Sequence, residues 1–191
     1  MALPQASSNS DGAREQRELL NSERIEAQFG SYGIDVLSSD DVLRLSNLYS
    51  LEAEGKVTRS FAIVRYPRRV AEAFAGVHQR ILGGGSIGAS FTQAGWQVIK
   101  THRDFGEFSS TKRLMDMMRI DEQIPLAMHI YILSVEKGAQ RYDYARIAEI
   151  HHPDYLSLDE LKTIYAPDWS PTGTGDAIAQ EMRALAQAST R

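Results

Sequence analysis

The segment AEIHHPDYL, residues 148–156, sets two histidines side by side, with Glu149 two positions before the first and Asp154 two positions after the second. A third histidine, His129, lies inside the apolar run LAMHIYILSVE, residues 126–136. Imidazole and carboxylate are the donors that zinc and similar ions favour. Whether these side chains meet depends on strand register. If the hairpin between the two segments closes with Lys137 facing Arg141, His129 falls opposite Glu149. His151 then points to the same face, because strand side chains alternate. The three would form a two-histidine, one-carboxylate cluster able to hold a divalent metal. An ion there would activate water, with Glu149 as ligand or base, which describes a metal-dependent hydrolase. His152 or Asp154 would substitute if the strand ended earlier. A slip of one residue removes the cluster, since Glu149 and His151 then move to the opposite face. The competing interpretation is a strand end: Pro153 cannot donate to a ladder, and Asp154 suits the turn after it.

A second group is RYPRR. Arg65, Arg68 and Arg69 crowd the predicted start of a helix whose apolar stripe is Val70, Phe74, Val77 and Ile81. Cations are unfavourable at that end of a helix, while anions are favoured there. Guanidinium forks suit carboxylate and phosphate. The triplet therefore reads as an anion-binding site, for an anionic small molecule or an acidic protein surface. A surface ion pair with Glu72, worth little, is the alternative.

Other chemistry fails on inspection. GGGSIG, residues 83–88, follows a predicted helix and leads into a predicted strand, the reverse of a dinucleotide fingerprint, and no GK[ST] follows. No GxSxG elbow is present. In WQVIKTHR, Trp96, Lys100 and His102 share a strand face, but one aromatic is thin support for base stacking, and nucleic acid is not an expected partner. Tyr142 and Tyr144 share a face, and Tyr131 joins them only in the slipped register.

The chain has 191 residues and a formal charge of −4. Between Lys56 and Arg119 it has eleven Lys or Arg against four Asp or Glu, a local +7, leaving −11 elsewhere. A basic middle between acidic ends can attract anions. Absence of cysteine excludes disulfides, thiolate catalysis and cysteine-ligated zinc. No apolar run approaches the roughly 18 residues of a membrane span. The polar start lacks the pattern of a signal peptide, so the chain reads as cytoplasmic as written, or as exported if a signal was removed.

These residues are to be positioned by an α+β fold. Residues 1–12 read as a flexible leader and 13–168 as one domain, followed over 169–191 by a linker and an amphipathic tail. Residues 34–37, 42–50, 56–66, 87–91, 96–103, 126–136 and 142–152 are predicted strands, giving an antiparallel sheet of about five to seven strands built from hairpin-helix units. Helices are predicted before Gly30, over 67–81, over 111–119 and after the capping box Ser157–Glu160, packed mainly on one face. No cofactor is expected, a divalent metal at His129, Glu149 and His151 being the alternative. The function expected is non-catalytic binding of an anionic ligand or acidic partner, with the hydrolase and a structural subunit docking through its tail as alternatives.

Overall fold

The computed structural model describes residues 19–165 and 175–191; the predicted leader and most of the predicted linker lie outside them. Six strands form one antiparallel sheet in the order β1-β2-β3-β6-β5-β4. They are β1 (Gly33–Ser39), β2 (Leu43–Glu52), β3 (Gly55–Arg65), β4 (Gln97–Ser109), β5 (Pro125–Lys137) and β6 (Gln140–His151). The helices are α1 (Asn21–Phe29), α2 (Ala75–Leu82), α3 (Ile87–Gln93), α4 (Lys112–Met118), α5 (Leu158–Tyr165) and α6 (Ala177–Ser189), with a 3-10 turn at Glu72–Phe74 before α2.

The sheet is two three-strand meanders joined at β3 and β6. The chain completes β1–β3, crosses to the far edge through the 3-10 turn, α2 and α3, and returns through β4, β5 and β6. The seam pairs Ser60 with His151 and Ala62 with Glu149, so the predicted cluster lies where the two halves meet.

Both faces are covered. On one, Phe61, Ile63, Met128, Ile130 and Ile150 pack against Leu114 and Met118 of α4 and against Ala179, Met182 and Ala186 of α6. On the other, the 3-10 turn, α2 and α3 bring Phe74, Val77, Ile81 and Phe91 to the sheet, while α1 and α5 bring Ile25, Leu161 and Tyr165. Four helices thus share one face and two the other, among the described residues. Cover on both sides explains why β5 is a continuous apolar run rather than an alternating one. The tail helix is capped by Asp176, whose Oδ1 accepts from the backbone N–H groups of Ile178 and Ala179 at 2.8 and 3.1 Å. Its apolar side is spent on this chain's own sheet.

Two predicted elements change. Residues 87–91 form the start of α3, not a strand. Gly88, Ala89 and Ser90 offer little to a pleated surface, whereas a helix sets Ile87 and Phe91 four apart on the buried side. Gly88 is also a close approach: a Cβ there would come within 2.7 Å of Leu20 Cδ2, so the starts of α3 and α1 touch. The helix predicted from Pro67 begins later, at Glu72, because β3 runs on: the Tyr66 N–H donates to the Val42 carbonyl at 2.8 Å. The middle of the chain is therefore two helices and a single strand rather than a hairpin-helix unit.

Candidate functional site: a histidine cluster beside a cavity

The β5–β6 hairpin contains both registers. At the turn Lys137 pairs with Gln140 and Glu136 with Arg141, not Lys137 with Arg141. A bulge then shifts the ladder between Leu133 and Ser134, and beyond it His129 lies opposite Glu149. The extra residue is Tyr144. One added residue re-aims everything past it. Tyr131, Tyr142 and Tyr144 consequently share a face near the turn, while His129, Glu149 and His151 share that same face farther along.

The cluster is buried. One ligand-type atom from each of His129, Glu149 and His151 lies within 4.8 Å of the others. His129 sits in an aromatic stack, with ring centroids 4.6 Å from Phe105 and 5.0 Å from Tyr165. Its Nε2 is 2.8 Å from Nδ1 of His102, so one of the two nitrogens carries the shared hydrogen. Glu149 accepts from Asn21 Nδ2 at 2.6 Å. The amide oxygen of Asn21 in turn accepts from Arg24 Nη1 and the Tyr155 hydroxyl, both at 3.2 Å. Arg24 Nη2 donates to the Tyr165 oxygen at 3.3 Å. Glu149 is thus held from α1 through Asn21, and His129 is stacked against Tyr165 of α5. His151 is the exception: both its ring nitrogens are buried without a hydrogen-bond partner.

Burial sets the protonation states. It pushes His151 down to about 4, with Glu149 opposing and Arg24 and Lys100 adding to the shift. Burial holds His129 well below 6.5, helped by repulsion from His102, Lys100, His151 and Arg24. Burial first, and then Glu149, hold the Tyr131 hydroxyl far above its ordinary range.

His152 belongs elsewhere. Its Nε2 meets the Met118 carbonyl oxygen at 3.0 Å and its Nδ1 accepts the Asp154 N–H at 3.0 Å. Asp154 is exposed. Neither can replace a member of the cluster. One histidine of the pair is in the site and its neighbour makes the strand end.

The arginines are dispersed. Arg65 ends β3, its Nε 2.8 Å from Glu181 Oε1. Arg68 and Arg69 are exposed in the bend before the 3-10 turn, so the helix-dipole argument does not reach them. Arg65 and Arg68 border a surface groove with Arg103 and Arg146. Three of those four already face carboxylates: Arg65 and Arg146 share Glu181, and Arg103 Nη1 lies 3.5 Å from Asp176.

A different arginine was missed. Arg44 of β2 is 1% exposed and borders a cavity of about 80 Å³ against the sheet, beneath the touching starts of α1 and α3. By that measure a single water needs roughly 10–15 Å³, so there is room for a small molecule. Lys100, Tyr32, Tyr131 and Glu149 share the lining. Arg44 Nε donates to Ser46 Oγ at 2.7 Å, and Nη1 to the carbonyls of Ile81 and Gly85 at 2.6 and 2.9 Å. Its Nη2 is buried without a partner, and among the described residues no carboxylate pairs with it. Lys100 lies beside ring faces, its Nζ 4.9 Å from the Tyr131 centroid and 5.8 Å from that of Tyr165. His102, which reaches His129, was missed as a neighbour of the cluster; its common face with Lys100 was the available signal.

No protein-family model matches the chain, and no curated protein does. Among solved structures, the C-terminal domain of YurK from Bacillus subtilis subsp. subtilis str. 168 is similar, at 13% identity and a TM-score of 0.37, covering 66% of this chain and 89% of that one. A likeness that loose carries no argument about function.

Proposed function

We propose that this chain is a binding domain for a small anionic molecule, a carboxylate or phosphate, held in the cavity by Arg44 and Lys100. The observation that carries the reading is the uncompensated guanidinium. A buried charge is costly unless paired and hydrogen-bonded. Carbonyl and hydroxyl acceptors meet part of Arg44's requirement, and an anion would supply the missing charge. The lining carries two cations against one carboxylate, Glu149, which Asn21 already engages. Tyr32 and Tyr131 offer hydroxyls beside apolar walls, the composition of a small-molecule pocket. The exposed pair Arg68 and Arg69 is the weaker candidate, because an anion there competes with full hydration.

Calorimetric titration with a panel of small carboxylates, phosphomonoesters and inorganic phosphate tests this. The expected result is saturable binding by at least one of them, weakened about tenfold or more by Arg44→Met and little changed by Arg68→Ala with Arg69→Ala. Binding that follows Arg68 and Arg69 instead would move the site to the surface.

The hydrolase alternative has one observation in its favour, the assembly of His129, Glu149 and His151, and it needs an ion. The structural-subunit alternative loses its main support, since α6 covers its own sheet.

A further inference from the structure

We infer that His129, Glu149 and His151 form a binding site for a transition-metal dication of the zinc class. This does not rest on the anion reading. Three features converge. The donor set is two imidazoles and one carboxylate, which selects zinc, cobalt or similar ions over magnesium and calcium, whose preferred ligands are all oxygen. The ligand atoms lie within 4.8 Å of one another. Tetrahedral bonds of about 2.0–2.1 Å set ligands about 3.3 Å apart, so side-chain rotations that draw them in by an ångström or so would close the site. Finally, both nitrogens of His151 are buried and unpartnered. A native protein rarely leaves such a group unsatisfied without a reason.

The surroundings fit a metal's outer shell. His102 bonds to His129 at 2.8 Å and Asn21 to Glu149 at 2.6 Å, the kind of contact that orients ligands. Arg24 and Lys100 lie close enough to act on both imidazoles, and they work against a cation. Glu149 offsets one of those charges. Three protein donors leave an open coordination position. Glu149 is also part of the cavity wall, so the ion would sit at the cavity's edge.

The test uses the full chain, tag-free and dialysed against a chelator, titrated separately with Zn²⁺, Co²⁺ and Mg²⁺. We expect one equivalent of Zn²⁺ with a raised melting temperature, a Co²⁺ visible spectrum of nitrogen and oxygen ligation, and no response to Mg²⁺. His151→Ala and Glu149→Gln should each weaken Zn²⁺ at least about tenfold, while His152→Ala, outside the cluster, leaves it unchanged. Should His151→Ala not fold, the isosteric Glu149→Gln and the wild-type Co²⁺ spectrum decide. Folded wild-type protein that takes up no Zn²⁺ at millimolar concentration would overturn the inference. So would an affinity that is the same with and without His151 and Glu149. Because Arg44→Met removes none of the three ligands, loss of anion binding and loss of metal binding are separable results.

Discussion

Arg44 and His151 share one trait: each is a large polar side chain almost fully enclosed, with a polar atom that no neighbour satisfies. The two differ in how legible they were. His151 could be placed beside Glu149 by alternation alone, and only the register was open. Arg44 was hidden by its context. In LRLSNL, Leu43 and Leu45 alternate with Arg44 and Ser46, the pattern of a strand with one wet face, yet that face is roofed by α1 and α3. The histidines also make stability depend on pH. His151 is lowered from 6.5 to about 4, and His129, His78 and His152 are lowered too, all chiefly by burial. Folded-state values below the unfolded ones mean that the unfolded chain binds more protons between them. The contribution is whole above about pH 6.5 and is lost as pH falls toward 4. For His151 the shift from 6.5 to about 4 corresponds to roughly 3 kcal/mol. Denaturant melts of metal-free protein should show a steep fall in stability across that window. A flat profile would contradict neutral buried imidazoles.

At the scale of elements, apolar run length and turn chemistry located most of the sheet, while α3 and the start of α2 were misjudged. Small residues after glycines gave no periodicity to separate helix from strand. The decisive feature, the bulge at Tyr144, left no mark in composition. Both candidate registers were reasonable because both exist, one on each side of it. The capping box was legible and is present: Ser157 Oγ accepts the Glu160 N–H at 3.2 Å, and Glu160 Oε2 accepts the Ser157 N–H at 2.7 Å. Ser157→Ala should cost about 1 kcal/mol in a chemical melt. The tail's dependence on the sheet is testable at Met182, which is fully buried. Met182→Ala should lower stability by about 2–5 kcal/mol; a change under about 0.5 kcal/mol would mean that α6 is not docked in solution.

For the molecule as a whole, two meanders meet at β3 and β6, and the seam carries Glu149 and His151. Each half supplies something the other lacks. The N-terminal meander brings Arg44, the C-terminal one brings Lys100, Tyr131 and Glu149, and the starts of α1 and α3 border the space between them. The basic middle segment anticipated an anionic partner, but much of its charge is already paired, since Lys56, Arg59, Arg65, Arg103, Lys112 and Arg119 face acids. Among the described residues no helix is long and apolar enough to cross a membrane. In the proposed reading the interior guanidinium, not the exposed ones, meets the ligand. The most direct measurement follows the arginine side-chain N–H signals by NMR while the best-binding small carboxylate or phosphate is titrated in. The Arg44 signals should shift saturably while those of Arg68 and Arg69 stay in place. Shifts confined to Arg68 and Arg69, with Arg44 unmoved, would contradict it.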